Sequence, residues 1–240
     1  MITPIVGIVG GLGPESTIDY YRRILELWQE QHPDSAPEIL IDSLDVTRGI
    51  EMVRHDRAGL VDYLANSVER LARAGADFAV FAANTPHIVF DEVAARSPVP
   101  LLSIVEVCAE EAQRHDFERV AVLGTGFTME AGFYPAVFGR RGIQVVVPNA
   151  AERAWLHERY LGELLKGIFH PEARDGVHEM TDRLRAQAGV QATVLAGTEL
   201  PLLLKSETLA GLPILDSTEL HVRAIVRRLT SLQDAATSIA

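Results

Sequence analysis

The chain has 240 residues, enough for one large or two small domains. Its 48% hydrophobic fraction beside 23% charged residues suits a buried core and excludes a disordered tail, a collagen-like repeat or a coiled coil. A net charge of −11 repels nucleic-acid phosphates and anionic membranes overall, yet a small anion can still bind where a few cations converge. Cys108 is the one cysteine, so no internal disulfide can form and a reducing compartment is expected. The opening MITPIVGIVGG lacks a basic signal-type region, and no apolar run approaches the roughly 18 residues of a membrane span. These features predict a soluble, acidic, cytoplasmic protein whose partner is neither nucleic acid nor membrane.

In chain order, Ile5–Val9 is a buried-strand run closed by Gly10, Gly11 and Gly13. Pro14 suits a first helical turn and opens a helix toward Trp28. A second strand is predicted at Glu38–Ser43, followed by a long amphipathic stretch with Leu60, Leu64, Val68 and Leu71 on one stripe. Further strands are predicted at Phe78–Phe81, Leu101–Ile104, Val120–Leu123, Ile143–Val147, Thr193–Leu195 and Ile214–Leu215, with a last helix from Ser217 to about Leu229. Short apolar strands alternating with longer helices predict βαβ units and parallel sheets, with sites at the carboxyl ends of strands.

The strand ends repeat. Gly10 and Ala83 are 73 residues apart, and so are Gly124 and Gly197. Either this is chance in a protein rich in βα turns, or the chain consists of two similar α/β halves. The second reading assigns residues 1–100 with 211–240 to one half and 101–210 to the other. It predicts a pseudo-duplicated α/β fold with the active-site cleft between two parallel-sheet domains.

The glycine cluster does not make a dinucleotide-binding fingerprint, because Pro14 interrupts it and Ser16 stands where the last glycine belongs. No Gly-Lys-Ser/Thr is present, and the eight histidines show no metal-ligand spacing. No metal and no nicotinamide cofactor is expected.

Several segments carry a family resemblance. Gly10-Gly11-Leu12-Gly13-Pro14-Glu15-Ser16-Thr17, Ala83-Asn84-Thr85-Pro86-His87, Ala196-Gly197-Thr198-Glu199-Leu200, Gly124-Thr125 with Thr128-Met129, and Asp216-Ser217-Thr218 with His221 occur in order over nearly the whole chain. Together they resemble the cofactor-independent aspartate/glutamate (Asp/Glu/hydantoin) racemases. The resemblance implies two similar domains, no cofactor such as pyridoxal phosphate, a small carboxylate or amino-acid substrate, and a homodimer. It also implies a mechanism in which two cysteines face each other across the substrate's α-carbon, one removing a proton and the other returning one. Ala83 and Gly197 stand at those two positions, and neither side chain can exchange a proton. Cys108, on a predicted helix beyond the fourth strand, reads as an ordinary buried thiol.

The same resemblance places Arg48 and Lys166 at the distal carboxylate, although either could equally be a solvated surface cation. Asn84, Thr85, Thr125 and Thr198 follow strand ends, where they could bind an α-carboxylate or simply cap turns. Glu199 and His87 are the nearest acid–base candidates to the two replaced positions, with a structural hydrogen bond the competing role for His87. Asp45 and His221 are weaker candidates. Two small residues also predict extra space at the centre of the pocket. Three readings follow: an enzyme of this family with altered lyase, cyclase or isomerase chemistry, a non-catalytic carboxylate-binding pseudoenzyme, or a cysteine-less variant of an amino-acid racemase.

Overall fold

The computed structural model describes residues 3–206 and 208–239. The chain divides into two compact units: one holds the chain up to Ile104 together with the segment from His221 onward, and the other is Val105–Leu220. Residues 101–104 thus fall in the first unit and 211–220 in the second.

The first unit is built on a four-stranded parallel sheet of β1 (Ile5–Gly10), β2 (Glu38–Ser43), β3 (Phe78–Phe81) and β4 (Leu101–Leu102), in the order β2-β1-β3-β4. Both faces of β1 are covered, which is why it reads as a continuous apolar run rather than an alternating one. Val6 and Ile8 pack on one side with Tyr20, Ile24 and Trp28 of α1 (Pro14–Gln31) and with Val222, Ile225, Val226 and Leu229 of α11 (Ser217–Ile239). Val9 and Phe81 pack on the other side against Leu60, Leu64, Val68 and Leu71 of α3 (Arg57–Arg73). Each such fully buried aliphatic side chain contributes about 1.5–3 kcal/mol.

The predicted long helix before β3 is two helices. Asp45 caps α2 (Val46–His55) by accepting from the Thr47 and Arg48 N–H groups, and Asp56 caps α3 by accepting from Gly59 N–H. A short side chain that accepts from backbone N–H groups both ends one helix and begins the next. The fourth predicted strand is shorter than expected, because Ile104 already belongs to α5 (Ile104–Arg114). The last helix is longer than expected and continues to Ile239.

The second unit repeats the plan. Its sheet contains β5 (Arg119–Gly124), β6 (Gln144–Val146), β7 (Ala192–Ala196), β8 (Thr208–Leu209) and β9 (Leu212–Asp216), in the order β6-β5-β7-β9-β8. All pairings are parallel except β8 with β9, a two-residue hairpin arm absent from the sequence reading. Leu123 and Leu195 pack against Leu156 and Tyr160 of α8 (Ala150–Gly162) and Val177 and Met180 of α9 (Pro171–Ala188). In both sheets the first strand lies between the second and the third. The protein is therefore two similar parallel-sheet α/β domains.

This common topology gives the four turns of the 73-residue repeat equivalent places. Val9 pairs with Phe81, and the Ala82 N–H donates to the Val9 carbonyl, so the turn at Gly10 is beside the one at Ala83. Gly124 pairs with Ala196, so the turn at Thr125 is beside the one at Gly197. Among the described residues no helix is long and apolar enough to cross a membrane.

Candidate functional site

In the first unit, the strand ends are tied together by the hydroxyls of the Pro-Glu-Ser-Thr segment. Ser16 donates to the Ala82 carbonyl at 2.9 Å, and Thr17 accepts from Gly11 N–H at 2.9 Å. Gly11 has φ +78°, and a Cβ there would come within 2.2 Å of the Leu44 carbonyl oxygen, so this turn requires glycine. Ala83, Asn84 and His87 are buried at the end of β3, with Thr85 partly exposed. Asn84 precedes a 3₁₀ turn, Thr85–Val89, and its carbonyl accepts from both the backbone N–H and Nδ1 of His87.

The His87 ring stacks on Phe90 and meets Phe81 edge-on. Burial, with the nearby His221 second, lowers its pKa from 6.5 to about 3. His221 is also enclosed: its Nδ1 accepts from the Tyr20 hydroxyl at 2.9 Å, and its Nε2 donates to the Leu102 carbonyl at 3.1 Å. Burial lowers its pKa to about 4. Both rings are neutral near pH 7.

Asp45 and Arg48 follow the end of β2. Asp45 is the helix cap described above, and the Arg48 guanidinium lies 4.7 Å from the centre of the Tyr63 ring on the exposed face of α2. Lys166 ends a 3₁₀ turn, Leu164–Lys166, with an exposed side chain and Gly167 after it in the left-handed region. Both cations are open to solvent.

In the second unit, Thr125 is buried at the end of β5 and caps α6 (Gly126–Glu130), its hydroxyl accepting from Thr128 N–H. At the end of β7, Gly197, Thr198 and Glu199 are all buried. The Glu199 carboxylate accepts from Tyr160 at 2.6 Å and from the Thr198 hydroxyl at 3.1 Å, and Glu199 N–H donates back to the Tyr160 oxygen at 3.1 Å. Burial and then the Glu199 charge push the Tyr160 pKa well above 10, so the phenol keeps its proton.

The expectation of open space at position 197 is corrected here. A Cβ on Gly197 would lie 2.4 Å from the Tyr160 hydroxyl oxygen and 2.7–2.8 Å from its ring carbons. Tyr160 already fills that volume. It is a residue the sequence reading missed, because one buried tyrosine on a helix looks like ordinary core. His157, one turn earlier on α8, accepts from Gly126 N–H through Nδ1 and was missed for the same reason.

Cys108 is fully buried on α5, and burial, followed by Asp216, raises its thiol pKa far beyond the usual range. It remains an unreactive thiol at neutral pH. The second unit also has a cavity of about 540 Å³, lined by Glu152, Trp155, Glu172, Asp175, Glu179 and Arg183 among others. None of the candidate residues lines it, and its carboxylates disfavour an acidic ligand. Among the described residues no cluster of three or more His, Cys, Asp or Glu could hold a metal ion.

Comparison with known proteins agrees with this fold. The family model described as Asp/Glu/hydantoin racemase matches residues 9–225. The broad specificity amino-acid racemase RacX of Bacillus subtilis (strain 168) is 23% identical over 236 residues, covering 95% of this chain and all of that protein. The crystal structure of an aspartate racemase homologue from Pyrococcus horikoshii OT3 superposes with a TM-score of 0.80 at 33% identity, covering 95% of this chain and 100% of the other. The aspartate racemase of Picrophilus torridus has the same fold, with a TM-score of 0.77 at 24% identity, over 95% of this chain and 94% of the other.

Proposed function

Since the chain belongs to the Asp/Glu/hydantoin racemase family, we propose that it is an enzyme that binds a small amino acid or dicarboxylate and acts on it without two-thiol racemisation. The observation that carries this reading is the contrast at the two strand ends. Ala83 offers only a methyl group, whereas position 197 is followed by a buried carboxylate, Glu199, bonded to two hydroxyls. One acid–base centre suits a reaction that moves one proton, such as an elimination, a cyclisation or an isomerisation, better than inversion between two bases.

In this reading Arg48 and Lys166 hold a carboxylate of the ligand, and their exposure leaves them free to do so. Asn84, Thr85, Thr125 and Thr198 supply hydrogen bonds to the other carboxylate. Glu199 is the proton acceptor. His87 is neutral at pH 7 and serves as a hydrogen-bonding or packing group rather than as a cation. No cofactor is needed for these roles.

Turnover of a broad metabolite mixture, followed by mass spectrometry, tests the proposal. A changed amino acid or dicarboxylate is expected from the parent protein, with at least a tenfold lower rate for Arg48→Ala and Lys166→Ala. Aspartate and glutamate should keep their α-hydrogen in D₂O. Rapid exchange there would return the protein to ordinary racemisation, while tight binding without any product would make it a carboxylate-binding pseudoenzyme.

A further inference from the structure

The vacancy expected at position 197 is occupied from across the fold. Gly197 sits directly after β7, and α8 crosses this strand end with Tyr160 facing it. The phenol oxygen lies 2.4 Å from where a Cβ on residue 197 would be, too close for any side chain there. Residue 197 can therefore be larger than glycine only if Tyr160 moves or shrinks. The ring is 1% exposed and packed in the core of its unit, so it has little freedom to move.

The hydroxyl that fills this place is not passive. It donates to Glu199 Oε2 at 2.6 Å and accepts from Glu199 N–H at 3.1 Å, closing a ring between one side chain and one residue. Thr198 donates to the same carboxylate oxygen. A phenol and a thiol both carry a single exchangeable proton, but a phenol next to a carboxylate keeps its own.

We propose that Tyr160 has taken over the place of the second thiol, so that the end of β7 offers its ligand a phenol–carboxylate dyad, Tyr160 with Glu199. Tyr160 is the positioning residue of the pair. It bars a side chain from position 197 and fixes the carboxylate that accepts its hydrogen bond. This rests on the reading above that the end of β7 meets the ligand.

Two measurements test it. Thermal melts of Gly197→Ala should fall by about 5 °C or more when Tyr160 is present, and by much less when combined with Tyr160→Leu. Equal losses in both backgrounds would overturn the proposal. The second measurement needs no large core change. In protein labelled at the tyrosine ζ-carbon, the Tyr160 signal (identified by Tyr160→Phe) should stay protonated at pH values where exposed tyrosines titrate, near 10. Glu199→Gln should bring its titration down by about one pH unit or more, since the carboxylate charge is removed. A Tyr160 that titrates with the others, or ignores Glu199→Gln, would overturn the dyad.

L-Aspartate, L-glutamate and succinate are then added to the labelled protein, with calorimetry in parallel. Binding that shifts the Tyr160 signal supports the dyad as part of the site, and binding that leaves it unmoved overturns that role. If none of the acids binds, the proposed function fails, while the melts and the titration still decide whether Tyr160 stands in for the thiol.

Discussion

The ends of β3 and β7 hold equivalent places in two similar sheets and have opposite chemistry. At β3 the strand end carries the methyl group of Ala83, and beyond it is a neutral imidazole stacked on Phe90 and edge-on to Phe81. At β7 Gly197 is a bare backbone, and a phenol and a carboxylate fill the space beside it. Two small residues that look alike in the sequence therefore differ in their surroundings. One borders an apolar wall, and the other borders a polar pair. Symmetry of the scaffold does not carry over to the chemistry it supports.

The comparison can be broken most sharply at the paired glycines. A Cβ at Gly124 would lie 2.4 Å from the Ala196 carbonyl oxygen, in the backbone of the neighbouring strand. At Gly10 it would meet the side chain of Thr17 at 2.6 Å. Backbone in a sheet cannot yield, whereas a threonine can turn. Gly124→Ala is expected to cost about 3 kcal/mol or more and Gly10→Ala about 1–2 kcal/mol in denaturant unfolding. Equal costs would show that the two strand ends are equally tolerant.

An effect of similar size separates the units by pH. His87 and His221 belong to the first unit and are buried neutral, with pKa values of about 3 and 4 against about 6.5 when unfolded. Below pH 6.5 the unfolded chain binds protons that the folded unit refuses. Stability is therefore full above that value and falls as the pH drops toward 4, by about 1.4 kcal/mol per pH unit for each histidine. Urea unfolding at pH 7 and pH 5 measures this slope, and a flat response would show that the rings are not held neutral.

The smallest expected effects are at the caps. Asp45→Ala in the first unit and Thr125→Ala in the second each remove a side-chain acceptor from a helix start and should cost about 1 kcal/mol. A markedly larger loss of ligand affinity at Thr125 than at Asp45 would assign the threonine a binding role as well as a structural one.

The strands were legible because parallel strands covered on both faces must be short apolar runs, and β1, β3, β5 and β7 are. The repeat at Gly10, Ala83, Gly124 and Gly197 was legible because each pair follows the two adjacent strands β1 and β3 or β5 and β7. Other features depend on contacts that a local pattern does not carry. Asp56 splits α2 from α3 through a side-chain hydrogen bond, and the leucine stripe, which begins only at Leu60, does not mark that break. The β8–β9 arm turns at Ala210 and Gly211, both with positive φ, on strands too short for any periodicity. Tyr160 mattered most for the candidate site and was least visible. Nothing near it in the chain says that a hydroxyl there meets the backbone of Gly197, and the glycine alone looks like an empty seat.

The first unit is discontinuous, and this has a consequence for synthesis. Its core needs Val222, Ile225, Val226 and Leu229, and Tyr20 finds its hydrogen-bond partner 201 residues later at His221. The second unit needs only Val105–Leu220. On the ribosome the later-made unit has all its strands while the earlier-made one still lacks a helix from its core. The first sheet stays partly uncovered until α11 emerges, so a nascent chain stalled before His221 exposes apolar core surface to chaperones and to aggregation.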